Sequence, residues 1–579
     1  MKKKLRAVSL ALGVVMLMSS CGGGAEANAP TTSSEAAPPA ASSEAAAETP
    51  SEAASESTAP SEEPASEGET SGFNPDAFQV KAIDDKTLEV KLTAITPYFL
   101  ELTAFPTFNP VPLHIIDEVG EAWATDAATY IGNGPYKVTA WTPSDKIVAE
   151  KNTTYWNAAN LGPDTISFAL MEDDAAQLTA YESGQLQFID AIPQDELDRV
   201  SSQPDFHKEG QLGTYYVSYN VTAAPFDNPL VRQAFTLAVD RDYIVTQIGK
   251  AGQIPAGAYV PVGLTDADAS QEFRDVGGDY YDPTSAGNEA NLAKAKEVLA
   301  EAGYPNGEGL PTVTYVYNEG TGHQAIGEAL QQMWSELGAT VTLESQEWAT
   351  FLNTRKNGEY QVARNGWLGD YNDPISFLDM WITDGGNNDA QWSNTEYDGL
   401  ISEIKNSGDQ ARRMELMHQA ENIIFDEWML CPIYYYVDVY MQNNALDGSV
   451  WASPLGYKYL MYANQPELNV CIGPNPDTID PALNSAVDGA TLIIHNFEGL
   501  YTLDDNGVPI PGQAESVDVS DDGLTYTFHL RDGIQFSDGT PITAQTFVDS
   551  WVRAINPETA ADYAYMFESI AGYTEALGE

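Results

Sequence analysis

Apolar and polar residues alternate along several short segments, a pattern typical of β-strands with one buried face. In 522–543 (DGLTYTFHLRDGIQFSDGTPIT), the apolar residues of LTYTFHL fall at every second position, and three Asp-Gly pairs predict turns. Segments 312–318 (TVTYVYN) and 340–348 (TVTLESQEW) predict two further strands. A third, VARNGWL, runs into the acidic turn GDYNDP within 362–381.

Helical periodicity occupies other segments. In 323–338 (HQAIGEALQQMWSELG), apolar residues recur on one face and a glycine ends the pattern. Helices are also predicted over 291–307 and over 409–428, where Asp409 is a suitable N-cap. The strand–helix–strand order of 312–348 predicts a partly parallel sheet flanked by helices, so the expected fold class is α/β.

Composition and motifs narrow the function. The 579-residue chain has 85 acidic and 27 basic residues and a net charge of −58, which argues against nucleic-acid binding. It holds no nucleophile elbow, zinc-protease, P-loop or dinucleotide motif, and its 6 His are scattered. We therefore expect a protein that is not an enzyme and uses neither a metal nor an organic cofactor.

The N-terminal segment 1–21 predicts a lipoprotein signal. MKKKLR supplies positive charge, a short apolar core follows, and LMSSC places small residues before Cys21. This resembles a bacterial lipobox, which implies lipidation of Cys21 and attachment to the outer face of the cell membrane. Residues 22–72 contain Glu but no Lys or Arg and are rich in Ala, Ser and Pro, so they predict a disordered tether.

Two further cysteines follow, Cys431 and Cys471. A single pair gives no disulfide framework to interpret. Two buried free thiols are the simpler interpretation, and a bridge between them is the alternative.

The region 73–579 resembles the family 5 solute-binding proteins, which capture oligopeptides and similar ligands for ABC importers. The resemblance is carried by 522–543, by 362–381 (VARNGWLGDYNDPISFLDMW) and by 466–487 (PELNVCIGPNPDTIDPALNSAV). It implies a two-lobed, type II periplasmic-binding-protein fold.

The order of the segments departs from that family. Segments 466–487 and 522–543 resemble the opening of the family's mature domain, yet they follow 457–464 (YKYLMYAN), which resembles its closing strand. Moving 466–579 in front of 73–465 restores the familiar order, which indicates a circularly permuted chain.

A circular permutation predicts which segments lie next to one another in the folded protein. Segments 459–462 and 468–472 are expected in the same lobe, joined by a short exposed turn. A helix and a strand within 551–579 are expected to pack beside 78–92 (FQVKAIDDKTLEVKL).

The resemblance also sets the expected lobes. Lobe one would comprise 73–222 and 433–579, and lobe two would comprise 223–432. Hinges are expected near Tyr219–Ala223 and Pro432–Tyr436.

The resemblance implies roles for eight residues. In the family, the residue matching Asp370 binds the α-ammonium group of a peptide, and the backbone matching Gly366 and Leu368 pairs with the extended ligand. The remaining candidates are the pocket aromatics Trp367 and Trp348, the carboxylate-binding Arg364 and His323, and Val487 for backbone pairing on the opposite side.

Each candidate also has a plainer structural interpretation. An Asp before a Gly/Pro turn is commonly a turn residue, a strand tryptophan belongs to the core, and His323 could cap a helix. Ser485 stands where some members of the family carry an acidic residue, which weakens the case for a doubly acidic amine pocket.

The expected function is that of a monomeric, extracytoplasmic lipoprotein that captures oligopeptides in an interlobe cleft and delivers them to an ABC transporter permease. One alternative keeps the family and changes the ligand to a dipeptide, sugar, nickel chelate or other small solute. The other alternative is a surface adhesion protein or a peptide-signalling receptor.

Overall fold

An eleven-stranded mixed sheet runs through the body of the protein, which a computed structural model describes for residues 72–268 and 270–578. The strands are β1 (Val80–Asp84), β2 (Thr87–Lys91), β3 (Tyr136–Thr142), β4 (Lys146–Lys151), β5 (Thr165–Ala169), β6 (Phe188–Ile189), β7 (Phe206–Tyr219), β8 (Ile254–Pro255), β9 (Val313–Asn318), β10 (Val341–Gln346), β11 (Val362–Leu368), β12 (Leu430–Gln442), β13 (Trp451–Ala452), β14 (Lys458–Tyr459), β15 (Glu467–Cys471), β16 (Tyr501–Leu503), β17 (Pro509–Pro511), β18 (Ala514–Val519) and β19 (Thr525–Leu530).

Helices surround the sheets, as the α/β prediction requires. They are α1 (Phe99–Leu102), α2 (Leu113–Val119), α3 (Asp174–Glu182), α4 (Leu197–Val200), α5 (Pro229–Leu237), α6 (Arg241–Tyr243), α7 (Phe273–Gly277), α8 (Asn288–Glu301), α9 (Thr321–Ser335), α10 (Trp348–Lys356), α11 (Ile375–Leu378), α12 (Thr395–Lys405), α13 (Gln410–Asp426), α14 (Val487–Asn496), α15 (Ala544–Ile555) and α16 (Tyr573–Leu577).

The large sheet has the order β10-β9-β11-β7-β12-β6-β15-β5-β4-β3, and β8 pairs with β12. A smaller sheet has the order β1-β2-β19-β18, and β13–β14 and β16–β17 form separate hairpins. The predicted unit at 312–348 is confirmed, because β9 and β10 pair in parallel and α9 connects them. Asp409 caps α13 as predicted, since its side chain accepts hydrogen bonds from the amides of Ala411 and Arg412.

The long strands β7 and β12 connect two halves of the large sheet. The first part of β7 pairs with β12 from Phe206↔Met441 to Gly210↔Val437, whereas β11 pairs with it only from Gly213 onward. Strand β7 therefore keeps β12 as a neighbour throughout and gains β11 on its other edge from Gly213, and the register between β7 and β12 shifts at 435–437. The expected crossing at Pro432–Tyr436 overlaps this shift, whereas Tyr219 lies at the outer end of β7, paired with Val362.

The segments on either side of residue 466 are neighbours in space. The carbonyl of Met461 accepts from the amide of Gly162 at 3.0 Å, and that of Pro466 accepts from the amide of Asp164 at 2.8 Å. The connection between β14 and β15 is exposed at Asn464 and Pro466, as expected for a turn.

The two ends of the described chain also meet. The amide of Asn74 donates to the carbonyl of Ala576 at 2.7 Å, and α15 packs against β1. The strand expected within 551–579 is wrong for the described residues, because only an isolated bridge joins Leu92 to Ile570. The other described residues of 551–578 lie in helices and turns.

Cys431 and Cys471 are free and buried in β12 and β15, so the simpler interpretation of the two thiols is confirmed. Cys21 and the tether over 22–71 lie outside the described residues. Among those that are described, no helix combines the length and the apolar character needed to cross a membrane.

Candidate ligand-binding cleft

A cavity of about 590 Å³ lies between the two halves of the large sheet. This volume falls within the range of roughly 300–1,000 Å³ that is usual for small-molecule sites. Its lining includes all eight residues that the sequence analysis singled out, namely His323, Trp348, Arg364, Gly366, Trp367, Leu368, Asp370 and Val487. The fold therefore gathers these candidates around one space.

Strand β11 presents a free backbone edge to this cavity. One edge of β11 pairs with β7 along its whole length, whereas the other pairs with β9 only at Val362 and Ala363. The amide of Gly369 donates to Leu212 on the β7 side at 2.8 Å. Because successive amides of a strand alternate in direction, those of Gly366 and Leu368 face the other edge, where the Gly366 amide donates to Asn365 Oδ1 at 2.8 Å.

The side chain of Asp370 lies in the turn after β11 and is 8% exposed. Its Oδ1 accepts a hydrogen bond of 3.1 Å from the hydroxyl of Tyr563, and its amide donates to Ser376 Oγ at 2.8 Å. Burial, and then the charge of Asp379, raise the pKa of Asp370 well above its usual value. Among the described residues, no cationic side chain forms an ion pair with Asp370, so its charge is uncompensated.

Arg364 is a cation without a carboxylate partner among the described residues. Its Nη2 donates to the hydroxyl of Tyr436 at 3.3 Å, its guanidinium lies 5.1 Å from the ring centre of Tyr215, and its Nε is buried without a hydrogen bond. His323 also contacts Tyr215, with its Nδ1 at 3.2 Å from the hydroxyl of that tyrosine.

His323 is neutral in this environment. Burial, and then the charge of Arg364, lower the pKa of His323 well below its usual value. It is also not the helix cap, since α9 begins at Thr321 and Gly320 is the N-cap residue. His323 can therefore offer a hydrogen bond to a ligand but no positive charge.

The aromatic candidates differ in how firmly they are held. Trp367 is 8% exposed and its Nε1 donates to the carbonyl of Ser376 at 2.7 Å, so it combines core packing with a place in the wall. Trp348 begins α10, and its buried Nε1 makes no hydrogen bond.

Val487 and Leu368 approach one another at Gly456. A Cβ added to Gly456 would lie 2.6 Å from Leu368 Cδ1 and 3.0 Å from Val487 Cγ1, and the residue has φ of +93°. Only glycine fits this position without displacing a neighbour. The cleft is therefore bounded here by side chains from the end of β11 and from the start of α14.

Sequence reasoning missed several residues of the cleft. Tyr563 contacts Asp370 from 193 positions away, and no local pattern signals it. Near the exposed Ser485, the carboxylate of Asp562 pairs with Lys356 at 2.6 Å. Over the described ranges, no cluster of His, Cys, Asp and Glu could hold a metal ion.

Comparisons with known proteins agree on one family. The model of the bacterial extracellular solute-binding proteins, family 5 middle, matches residues 34–389 and 508–576. The dipeptide-binding protein DppE of Bacillus subtilis is 36% identical over 393 residues, which cover 67% of this chain and 70% of that protein. The oligopeptide-binding protein OppA of the same organism is 34% identical over 386 residues, which cover 65% of this chain and 68% of that protein.

A crystal structure shows the same fold. The periplasmic oligopeptide-binding protein OppAIV of Borrelia burgdorferi superposes with a TM-score of 0.58 at 31% identity, over 63% of this chain and 71% of that chain. The expected two-lobed, type II periplasmic-binding-protein fold is thereby confirmed. The chain belongs to the family 5 extracellular solute-binding proteins, and it is accordingly a binding protein and not an enzyme.

Proposed function

We propose that this protein binds oligopeptides in the cleft and delivers them to the permease of an ABC importer. The observation that carries the proposal is the buried, uncompensated carboxylate of Asp370 at the end of a strand with a free edge. A buried charge without a partner is unfavourable, so a cationic group of the ligand would be stabilising there. The α-ammonium group of a peptide is such a cation.

The remaining features match the other groups that every peptide carries. The edge at Gly366 and Leu368 can pair with an extended main chain, once a ligand carbonyl replaces Asn365 Oδ1 as the acceptor of the Gly366 amide, and this gives affinity that does not depend on sequence. Arg364 can donate hydrogen bonds to the terminal carboxylate, and His323 can add a neutral hydrogen bond to it. Val487 would pair with the ligand from the opposite side.

Trp367 and Trp348 would line pockets for the peptide side chains. Both belong to the wall of the cavity, although Trp367 is anchored to the carbonyl of Ser376. The printed names of the relatives, dipeptide-binding and oligopeptide-binding, also support a peptide ligand.

Transport would depend on closure of two lobes about the long strands. Lobe two would comprise 223–432 with its helices and β8–β11, and the hinge on β7 would lie at 210–213, where β11 begins to pair with that strand. The second hinge would lie at 435–437. Closure about such crossings would bury the ligand, and the monomeric closed form would be presented to the permease.

The segment order supports circular permutation as a further part of the proposal. The family model matches in two separate stretches, 34–389 and 508–576. The contact between Asn74 and Ala576 would let the two ends be joined without moving the core. Permutation would therefore leave the fold intact and change only the place of the chain break.

The lipid anchor remains a proposal because Cys21 lies outside the described residues. The wild-type protein should partition with membranes and carry lipid, whereas Cys21→Ala should be released. Recovery of the wild-type protein entirely in the medium would contradict an anchor.

Calorimetry with one tripeptide in free and N-acetylated forms tests the peptide proposal. Acetylation removes the ammonium charge and should weaken binding on the order of 100- to 1000-fold, the usual effect of breaking a buried ion pair. Asp370→Ala should weaken the binding of the free peptide by a similar factor. Equal affinities for the two peptides would remove Asp370 from the amine site and favour a non-peptide solute.

A further inference from the structure

A second uncompensated carboxylate lines the cleft beside Trp348. Asp488 is the second residue of α14, and both of its carboxylate oxygens are buried without a well-aligned hydrogen bond. Burial raises the pKa of Asp488 to about 6, although the amides of Gly489 and Asp488 and the indole of Trp348 act in the opposite direction. The carboxylate therefore lies close to donors but is not satisfied by them.

Lys458, which also lines the cleft, is already engaged. Lys458 Nζ lies 2.8 Å from Asp438 Oδ2 and 3.1 Å from Asp190 Oδ1, and it also donates to the carbonyl of Gly456 at 3.2 Å. Two carboxylates thus share one ammonium group. Asp488 adds a negative charge to the same region, which raises the pKa of Asp190 further.

The charges of the cleft can be compared pair by pair within the described residues. Arg355 lies 3.5 Å from Asp389. Lys356 lies 2.6 Å from Asp562. These two cations and Lys458 are therefore neutralised by the protein itself.

Three charged groups of the lining are then left both enclosed and unpaired among the described residues. They are the cation Arg364 and the carboxylates Asp370 and Asp488. Of the other lining carboxylates, the half-buried Glu172 accepts a hydrogen bond of 3.0 Å from the amide of Trp348, and Glu319 and Asp477 are exposed, so water can solvate them. The complementary ligand carries one negative and two positive charges.

We infer that Asp488, with Trp348 beside it, forms a subsite for a cationic side chain, so that the preferred peptides contain lysine, arginine or another diamino acid. The inference rests on the proposed function, because the first positive charge and the negative charge are those of the peptide termini. A side-chain ammonium group would satisfy the buried carboxylate. An aromatic ring beside it attracts a cation as well.

The competing interpretation is structural. Asp488 lies in the first turn of α14, where a carboxylate interacts favourably with the helix dipole. The two interpretations differ for the empty protein. If Asp488 serves the helix, Asp488→Asn lowers the melting temperature; if its buried charge awaits a ligand, the same variant melts at an equal or higher temperature.

Calorimetry with matched tripeptides tests the subsite. Alanine tripeptides are compared with lysine or with norleucine at each position in turn, since norleucine keeps the apolar stem and lacks the ammonium group. The wild-type protein should prefer lysine by about tenfold or more at one position, as expected for a desolvated ion pair. Asp488→Asn should reduce this ratio to about threefold or less and leave the affinity for the norleucine peptide unchanged.

Glu319→Gln is the matched control, because it removes the same charge from an exposed carboxylate that lines the same cleft. It should retain the preference for lysine. A lysine preference that is absent in the wild type, or unchanged in Asp488→Asn, would overturn the inference while peptide binding stands. If neither lysine nor norleucine peptides bind, the proposed function fails, and the inference fails with it.

Discussion

The hydroxyl of Tyr563 donates a hydrogen bond of 3.1 Å to Oδ1 of Asp370, although 193 positions separate the two residues. Asp370 follows β11, whereas Tyr563 belongs to the segment after α15, which packs on the smaller sheet. The candidate amine site is therefore assembled from two parts of the fold. Its geometry depends on how these parts meet, and the hydrogen bond fixes the carboxylate in the wall of the cleft.

Tyr563→Phe should weaken the binding of peptides with a free amino terminus. A hydrogen bond to a charged group contributes roughly 1.5–3 kcal/mol, so we expect a loss of about tenfold or more. The affinity for the N-acetylated peptide should not change. Calorimetry measures both, with Tyr565→Phe as the control, because the hydroxyl of Tyr565 contacts Asn387 at 3.4 Å and is not hydrogen-bonded to Asp370. An equal loss for both peptides would indicate a general defect of the cleft.

Peptide affinity should fall as the pH is lowered. Burial and Asp379 raise the pKa of Asp370 well above its usual value, so protons compete with the peptide ammonium group for this carboxylate in the empty cleft. Affinity should rise with pH by at most about tenfold per unit and level off once Asp370 is ionised. Above a pH of about 8 it should fall again, because the α-amino group of the peptide loses its proton.

An ionisable group next to Asp370 also titrates within this range of pH. The pKa of Asp379 is raised to about 6, chiefly by burial, and Lys405 beside it acts in the opposite direction. Asp370→Asn serves as the control, since it should remove most of the acid limb of the profile. A profile that is the same in this variant would assign the pH dependence to Asp379 or to another group.

Arg364 should carry the recognition of the peptide carboxylate, and His323 should contribute less. Arg364→Gln should weaken the binding of a tripeptide with a free carboxylate by about 100-fold or more, because it removes the cation from an enclosed ion pair. It should change the binding of the corresponding C-terminal amide little. His323→Gln should cost about 1 kcal/mol, the usual contribution of a neutral hydrogen bond. Calorimetry on the acid and amide peptides measures both variants. Equal losses for the acid and the amide would place the carboxylate elsewhere.

A reordered chain should fold to the same structure. Placing 466–579 in front of 73–465 joins the ends that meet at Asn74 and Ala576 and opens the exposed turn at Pro466. Its melting temperature should stay within a few degrees, and its peptide affinity should be unchanged, because the core contacts are the same. Circular dichroism and calorimetry measure the two quantities.

A chain reopened at Val470 is the matched control for reordering. Val470 lies inside β15, which pairs with both β5 and β6, so this break interrupts the large sheet and should prevent folding. Unfolding of the chain reopened at 466 would contradict the proposed permutation.

Local pattern was sufficient for much of the scaffold. The alternation of VARNGWL predicted β11 over Val362–Leu368, and the apolar face of 323–338 predicted α9. Asp409 was identified as a cap because the cap interaction involves residues two and three positions away. The expected strand within 551–579 was wrong, since pairing there is limited to the single bridge at Ile570. The point at which β7 gains β11 as a second neighbour also could not be predicted, because periodicity along one strand does not identify its partners.

Local residue patterns were enough to predict β11, α9, α13 and the turn that places Asp370 at the end of β11, since these depend on residues close together in the chain. Three features follow from tertiary packing alone: Tyr563 holds Asp370, burial beside Arg364 lowers the pKa of His323, and Asp488 lacks a counterion within the described chain. The physical reason is that desolvation and charge compensation depend on every group packed around a side chain. Those groups come from segments that are hundreds of residues apart, and folding alone brings them together.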